Sequence, residues 1–144
     1  MSFAVDTNIL LYASNEASPH QRKARAFLDE AVTGPEILFL TWPVIFGYLR
    51  ISTHAAVFPR PLTPETAMAN IERLLSSPHV RLLQEDDFFW ETYKRVAEDI
   101  VSRGKAVADA HLATLLLHHG IRVLYTNDSD FRKFRFLEVR NPFE

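Results

Sequence analysis

Phe3-Ala4-Val5-Asp6-Thr7-Asn8-Ile9-Leu10-Leu11-Tyr12 opens with an apolar run that ends on a carboxylate and then resumes. Phe3 to Asp6 reads as a short buried strand, and Thr7-Asn8 supplies helix-starting chemistry for the apolar residues behind it. Two later stretches pose the same problem. Asp109 interrupts Ala106 to Leu117, a helix-like stretch that is apolar nearly all the way round. Asp128, with Asp130 two residues on, follows the apolar strand Val123-Leu124-Tyr125. A carboxylate beside buried surface must be paired or must hold a metal, since leaving it alone costs several kcal/mol. No basic residue is evidently reserved for each acid, so a shared divalent cation is the economical reading.

Outward from these stretches, strands and helices alternate. Ser18-Pro19 predicts a helix entry, with Ser18 as N-cap and Pro19 at the first helical position. Ala24, Phe27, Leu28 and Ala31 then mark one buried face, and Gly34-Pro35 ends the helix. Ile37 to Leu40 is a second strand, and a helix runs from about Pro43 towards Thr53. His54 to Pro64 is a loop with three prolines, Pro64 to Leu75 a helix, Val80 to Leu83 a strand and Asp86 to Val101 a longer helix. Gly104 breaks the chain before a helix over Ala106–His119, which Gly120 closes. Arg122–Tyr125 and Leu137–Val139 are the last strands. This alternation predicts an α/β sandwich with a mainly parallel sheet. Ligands of such sheets gather beyond the carboxyl ends of the strands, where Asp6 and Asp128 both lie.

The 144 residues are read as one domain, 1–144, long enough to bury roughly two thirds of the unfolded surface. The hydrophobic and charged shares, 47% and 24%, are ordinary for a soluble protein, and most of the eleven Phe are expected in the core. A formal charge of −2 lacks the overall basicity that would by itself mark a nucleic-acid binder. The absence of cysteine excludes disulfides and thiolate metal sites. Met1 to Asp6 has neither the positive nor the long apolar part of a signal peptide, and no run reaches membrane-spanning length. The expectation is a cytoplasmic protein with no membrane association.

Magnesium prefers hard oxygen ligands and keeps several waters, so three or four converging acids suit one ion, or two when substrate phosphate completes the shell. Such an ion serves phosphodiester hydrolysis without a histidine or cysteine nucleophile. At this point the chain resembles the PIN-domain ribonucleases, and among them the VapC-type toxins of type II toxin–antitoxin pairs. The stretches that carry the resemblance are Val5 to Tyr12, Val107-Ala108-Asp109-Ala110-His111-Leu112-Ala113, Thr126-Asn127-Asp128-Ser129-Asp130-Phe131 and Val139-Arg140-Asn141-Pro142. They span nearly the whole chain in the family's order.

The resemblance implies a PIN-like three-layer sandwich with a mainly parallel central sheet flanked by helices, and a magnesium-dependent endoribonuclease, with manganese a possible substitute. It makes Asp6 and Asp109 the primary metal ligands and Asp128 a further acid of the pocket. Asp130 shapes the turn, while Thr7, Asn8 and Thr126 orient carboxylates or waters. It further implies an RNA substrate, a homodimer and a cognate antitoxin that covers the pocket. One departure stands out. The family usually carries Pro-x-x-x-Glu-x-x-Arg on the helix after the second strand; here Pro43 and Arg50 are present, but Gly47 replaces the glutamate. The alternative is therefore a catalytically impaired PIN-like module that binds RNA or protein.

Duller readings attach to the same residues. Asp6 is also a helix-capping carboxylate, Asp109 a partner for a buried Lys or Arg, and Asp128 and Asp130 ordinary turn residues. His111, two residues from Asp109, points away from any shared metal. His118 and His119 read as solvated histidines at a helix C-terminus. Phe88-Phe89-Trp90 reads as core plus interface, while Trp42 and Tyr48 are unassigned. Arg103, Lys105, Arg132, Lys133 and Arg135 flank the acids and either contact an RNA backbone or simply face solvent. An aspartyl phosphatase of the haloacid type would need an acid at position 8, where Asn8 stands. A phosphoacceptor receiver domain is the other rival, and labelling by acyl phosphate would mark it.

Overall fold

Ala4, Leu38, Leu40 and Leu124 lie wholly out of solvent, because each belongs to a strand covered by helices on both faces. In the computed structural model, which describes residues 2–144, the strands are β1 (Ser2–Val5), β2 (Ile37–Thr41), β3 (Val80–Leu83), β4 (Val123–Tyr125) and β5 (Glu138–Arg140). They form one sheet in the order β3-β2-β1-β4-β5, parallel at every pairing. Ala4 stands between Phe39 and Leu124 in register. Purely parallel sheets need both faces covered, which accounts for the near-continuous apolar runs of Phe3-Ala4-Val5 and Ile37 to Leu40.

Six α-helices among the described residues do the covering: α1 (Thr7–Ser14), α2 (Gln21–Thr33), α3 (Trp42–Ser52), α4 (Pro64–Leu75), α5 (Phe89–Glu98) and α6 (Lys105–His118). α1 packs on α2 and α3, α3 on α4, and α5 on α6. Right-handed crossovers place α1 to α4, which lead from β1 to β2 to β3, on one face and α5 and α6, which return from β3 to β4, on the other. The α/β three-layer sandwich of the sequence reading is therefore the fold. The connections turn opposite ways from β1 and into β4, so these two neighbours form the switch point where a parallel sheet opens a crevice.

Local signals account for most boundaries. Thr41 caps α3 by accepting the Val44 N–H, with Pro43 in its first turn, and Thr63 caps α4 by accepting the Thr66 N–H, with Pro64 next. α6 closes with Gly120 at φ 73°, and the Ile121 and Gly120 amides donate to Leu116 and Leu117. This left-handed close turns the chain straight into β4. The expected entry at Ser18-Pro19 is wrong by two residues: α2 starts at Gln21, because the Ser18 hydroxyl accepts the His20 N–H in a turn of its own. The helix expected over Asp86–Val101 is shorter, Phe89–Glu98, since the Asp86 carboxylate caps the turn before it.

The aromatic triplet divides and the histidine expectation changes. Phe88 and Trp90 are 72% and 62% exposed, and only Phe89 turns inward, edge-on to His111 and His118. The histidines on and just after α6 have partners, although His119 is exposed as expected. His111 bonds Glu85, His118 bonds Asp86 through Nε2 and Thr92 through Nδ1, and His119 donates to the Gln84 carbonyl. Together they fasten the loop after β3 to α6. Trp42 remains part-exposed, while Tyr48 is core: its hydroxyl meets Ser14 Oγ at 2.7 Å and accepts from Asn70 Nδ2 at 2.9 Å, joining α1, α3 and α4.

Tyr48→Phe keeps the ring and deletes that junction, so it should cost about 1–1.5 kcal/mol in urea unfolding. Asp86 offers a test by acid. The His118 bond and then the Phe88 N–H hold its carboxyl below the usual range. A carboxyl so lowered contributes stability above the unfolded value, and that contribution disappears as pH falls through the folded value. The gap in melting temperature between the parent and Asp86→Asn should therefore be open at about pH 6 and close towards about pH 3. A constant gap would show that the pair contributes nothing.

Candidate active site

Asp6 stands at the end of β1 with extended backbone, and its two carboxylate oxygens have separate tasks. Oδ1 accepts the Thr7 N–H at 2.7 Å and so caps α1, while Oδ2 accepts the Thr126 hydroxyl at 2.9 Å. Capping and a place in the crevice are thus not rival readings of Asp6. Burial pushes its carboxyl pKa upwards; the Thr126 and Thr7 hydrogen bonds oppose this, and the charges of Asp109 and Asp128 reinforce it.

Thr126 ties the switch point together. It is 1% exposed, and besides donating to Asp6 its hydroxyl accepts from Asn8 Nδ2 at 3.2 Å and from the Asp128 N–H at 3.0 Å. The ends of β1 and β4 and the start of α1 therefore share one oxygen. Asn8 Oδ1 receives the Asn127 N–H, Asn127 Oδ1 accepts from Asn141 and Asn127 Nδ2 donates to Tyr12. Sequence reasoning missed Tyr12, Asn127 and Asn141 as supports; the Asn141 stretch was noticed only as familiar. Thr7 faces elsewhere, its hydroxyl donating to the Val44 carbonyl at 3.4 Å.

Asp109, 7% exposed, reaches the same crevice from α6. Asp128 caps a short 3-10 turn, Ser129–Lys133, by accepting the Asp130 N–H at 2.9 Å. Asp109, Asp128 and Asp130 can each offer an oxygen such that all three lie within 4.8 Å of one another. Asp130 thus shapes the turn and also faces the cluster. Asp6 lies outside that trio, close enough for Asp109 and Asp128 to act on its charge.

The expectation that no basic residue serves these acids is wrong. Lys105, one turn before Asp109 on α6, sets its ammonium 3.2 Å from Asp109, 2.5 Å from Asp128 and 3.8 Å from Asp130. Lys133 approaches Asp109 at 3.7 Å. The bond to Asp128 raises the Lys105 pKa well above the ordinary lysine range. Partial burial pushes the Asp128 carboxyl up, but the Lys105 bond, the Asp130 N–H and the charges of Lys105 and Lys133 hold it below the usual value. A crevice that gathers an ammonium onto three carboxylates has the donor set of a hard cation site. Arg103, Arg132 and Arg135 remain exposed around it.

Gly47 completes the picture from α3. A Cβ built there would stand 3.0 Å from Thr7 Oγ1 and 3.3 Å from Thr7 Cγ2. Its lack of a side chain lets α3 lie close against the start of α1, where any Cβ would press on the Thr7 side chain and make it give by a few tenths of an ångström.

Comparison with known proteins agrees with this geometry. The PIN domain family model matches residues 3–137. The chain is similar to Ribonuclease VapC48 of Mycobacterium tuberculosis, with 44% identity over 143 residues and 99% of each chain covered. Among solved structures it resembles VapC20 of Mycobacterium tuberculosis, a sarcin–ricin loop cleaving toxin, at a TM-score of 0.70 and 20% identity, covering 96% of this chain and 98% of the other. It also resembles VapBC2 of Rickettsia felis bound to a promoter DNA fragment, at a TM-score of 0.71 and 16% identity, covering 98% of each.

Proposed function

This chain belongs to the PIN-domain family, and we propose that it is a magnesium-dependent endoribonuclease acting as the toxin of a toxin–antitoxin pair. The observation that carries the reading is the convergence of Asp109, Asp128 and Asp130, with Asp6 beside them, at the switch point of a parallel sheet. The 44% identical relative named a ribonuclease supports the same reaction. Hydrolysis of an RNA phosphodiester is the chemistry such acids serve.

A bound magnesium ion, or manganese in its place, supplies charge that polarises a phosphoryl oxygen and acidifies water. Asp6 and Asp109 would hold it, and Asp128 would position the ion or the attacking water. Asp130 keeps Asp128 aimed through its N–H, and Thr126 fixes both Asp6 and Asp128. Asn8 holds Thr126 in turn, and Thr7 gives its N–H to Asp6. The raised pKa of Asp6 marks the cost of keeping that carboxylate charged there, a cost that a bound cation offsets. Exposed Arg103, Arg132 and Arg135 supply local positive charge for an RNA backbone on a chain of net charge −2.

The partners follow the same reading. The Rickettsia felis neighbour is a toxin–antitoxin assembly, and a groove of about 310 Å³ between α1, α2 and α4, with Leu28 and Leu74 in its lining and Arg25 and Arg73 beside them, offers a seat for an antitoxin segment. Exposed Phe88 and Trp90 suit the interface of a homodimer. Among the described residues no helix is long and apolar enough to cross a membrane. A second reading, a PIN-like module that binds RNA or protein without cutting, is favoured by one observation: Gly47 stands where the family carries its glutamate and presses closely on Thr7, so that carboxylate is missing from the crevice.

Asp6→Asn and Asp109→Asn should each lower RNA cleavage by about 100-fold or more with circular dichroism unchanged, the scale expected when one electrostatic group is lost from an active site. Both should relieve growth arrest when the chain is expressed alone; variants as toxic as the parent would overturn the site. Chelation by EDTA should stop cleavage, and added magnesium or manganese should restore it. Metal-independent RNA binding by a parent that never cleaves would decide for the module.

A further inference from the structure

Three carboxylates converge on one ammonium in this crevice, and that ammonium is only loosely held by anything else. Lys105 Nζ contacts oxygens of Asp109, Asp128 and Asp130, and the first two are also hydrogen-bond acceptors for it. Its side chain is 64% exposed, whereas that of Asp109 is 9% exposed. Asp109 is therefore fixed by the fold and Asp128, 23% exposed, largely so, while Asp130 at 66% and the lysine reach the cluster from solvent. Lys105 is the first residue of α6 and follows Gly104, which stands at φ 55° with open space around it. Nothing packed against the stem prevents the ammonium from swinging away.

We infer that Lys105 is the resting counter-ion of the acid cluster and competes with a divalent ion for the same carboxylate oxygens. The inference rests on the metal reading given above and adds to it a positioning residue outside the acids. Like charges gathered within 4.8 Å repel, and a cation between them is what keeps them together. With no metal bound, Lys105 is that cation and holds Asp128 and Asp130 towards Asp109. A divalent ion carries twice the charge and takes carboxylate oxygens at closer range than an ammonium. Asp109 Oδ2 and Asp128 Oδ2 face the ammonium, so an ion drawn to those oxygens meets its charge. Metal entry is therefore opposed until the ammonium moves aside, and its exposed stem lets it do so without disturbing the core. Lys133 reaches only Asp109, at 3.7 Å, and cannot replace Lys105 at Asp128 and Asp130 among the salt bridges formed here.

Calorimetric titration of the full-length chain with Mn2+ alone tests the competition. Lys105→Gln should bind Mn2+ about fivefold more tightly or better than the parent, because a repelling charge a few ångströms from the ion is gone. Lys105→Arg keeps the charge and should bind like the parent. A merely structural surface pair would leave the affinity unchanged or weaken it through loss of order. Melting temperature supplies a second readout: Lys105→Gln should melt lower than the parent without metal, and saturating Mn2+ should remove that deficit. Equal or weaker Mn2+ binding by Lys105→Gln, with the parent binding normally, would overturn the role of Lys105 and leave the metal reading intact. No Mn2+ binding by the parent, or undiminished binding by Asp109→Asn, would overturn both.

Discussion

Acidic side chains brought to one crevice repel one another, and the fold must supply the positive charge that lets them stay. Asp6, Asp109, Asp128 and Asp130 meet where β1 and β4 end, and hydrogen bonds and nearby ammonium groups oppose their mutual repulsion. Asp6 is bound by a backbone amide and a buried hydroxyl, and Asp128 by an amide and an ammonium. The all-parallel sheet makes this possible. Its order, β3-β2-β1-β4-β5, puts the first strand beside the fourth, so acids more than a hundred residues apart become neighbours. The chemistry proposed for the chain is a use of that enforced proximity.

The strands and the acids were the legible part of the sequence. Phe3-Ala4-Val5 and Val123-Leu124-Tyr125 are apolar because the sheet is covered on both faces, and a carboxylate ending such a run has few possible explanations. Lys105 was not legible in the same way. A lysine four residues before an aspartate is an ordinary helical surface pair, and only the tertiary fold brings Asp128 and Asp130 to it. Thr126 was read as an orienting residue, yet its place at the junction of β1, α1 and β4 depends on strand pairing that no local pattern encodes.

The misreadings share a cause. Ser18 was taken for a helix cap because serine before proline usually is one, but its hydroxyl serves a turn two residues earlier. Phe88-Phe89-Trp90 reads as core plus interface, and nothing in an aromatic triplet says which ring faces the core; here only Phe89 does. His118 looked like a solvated helix end until Asp86 and Thr92, from other parts of the chain, supplied its partners. Gly47 runs the other way. Its departure from the family pattern was plain in the sequence, while its physical role, the close approach of α3 to Thr7, needed the packed helices.

The Thr126 amide donates to the Arg140 carbonyl on β5, and Asn141 grips Asn127, so the loop bearing Asp128 is braced by residues far along the chain. A polypeptide emerging from the ribosome therefore carries Asp6 and Asp109 well before it can place them opposite a settled Asp128. In the order of synthesis, the brace on the Asp128 loop is the last part of the crevice to be supplied, with Arg140 and Asn141.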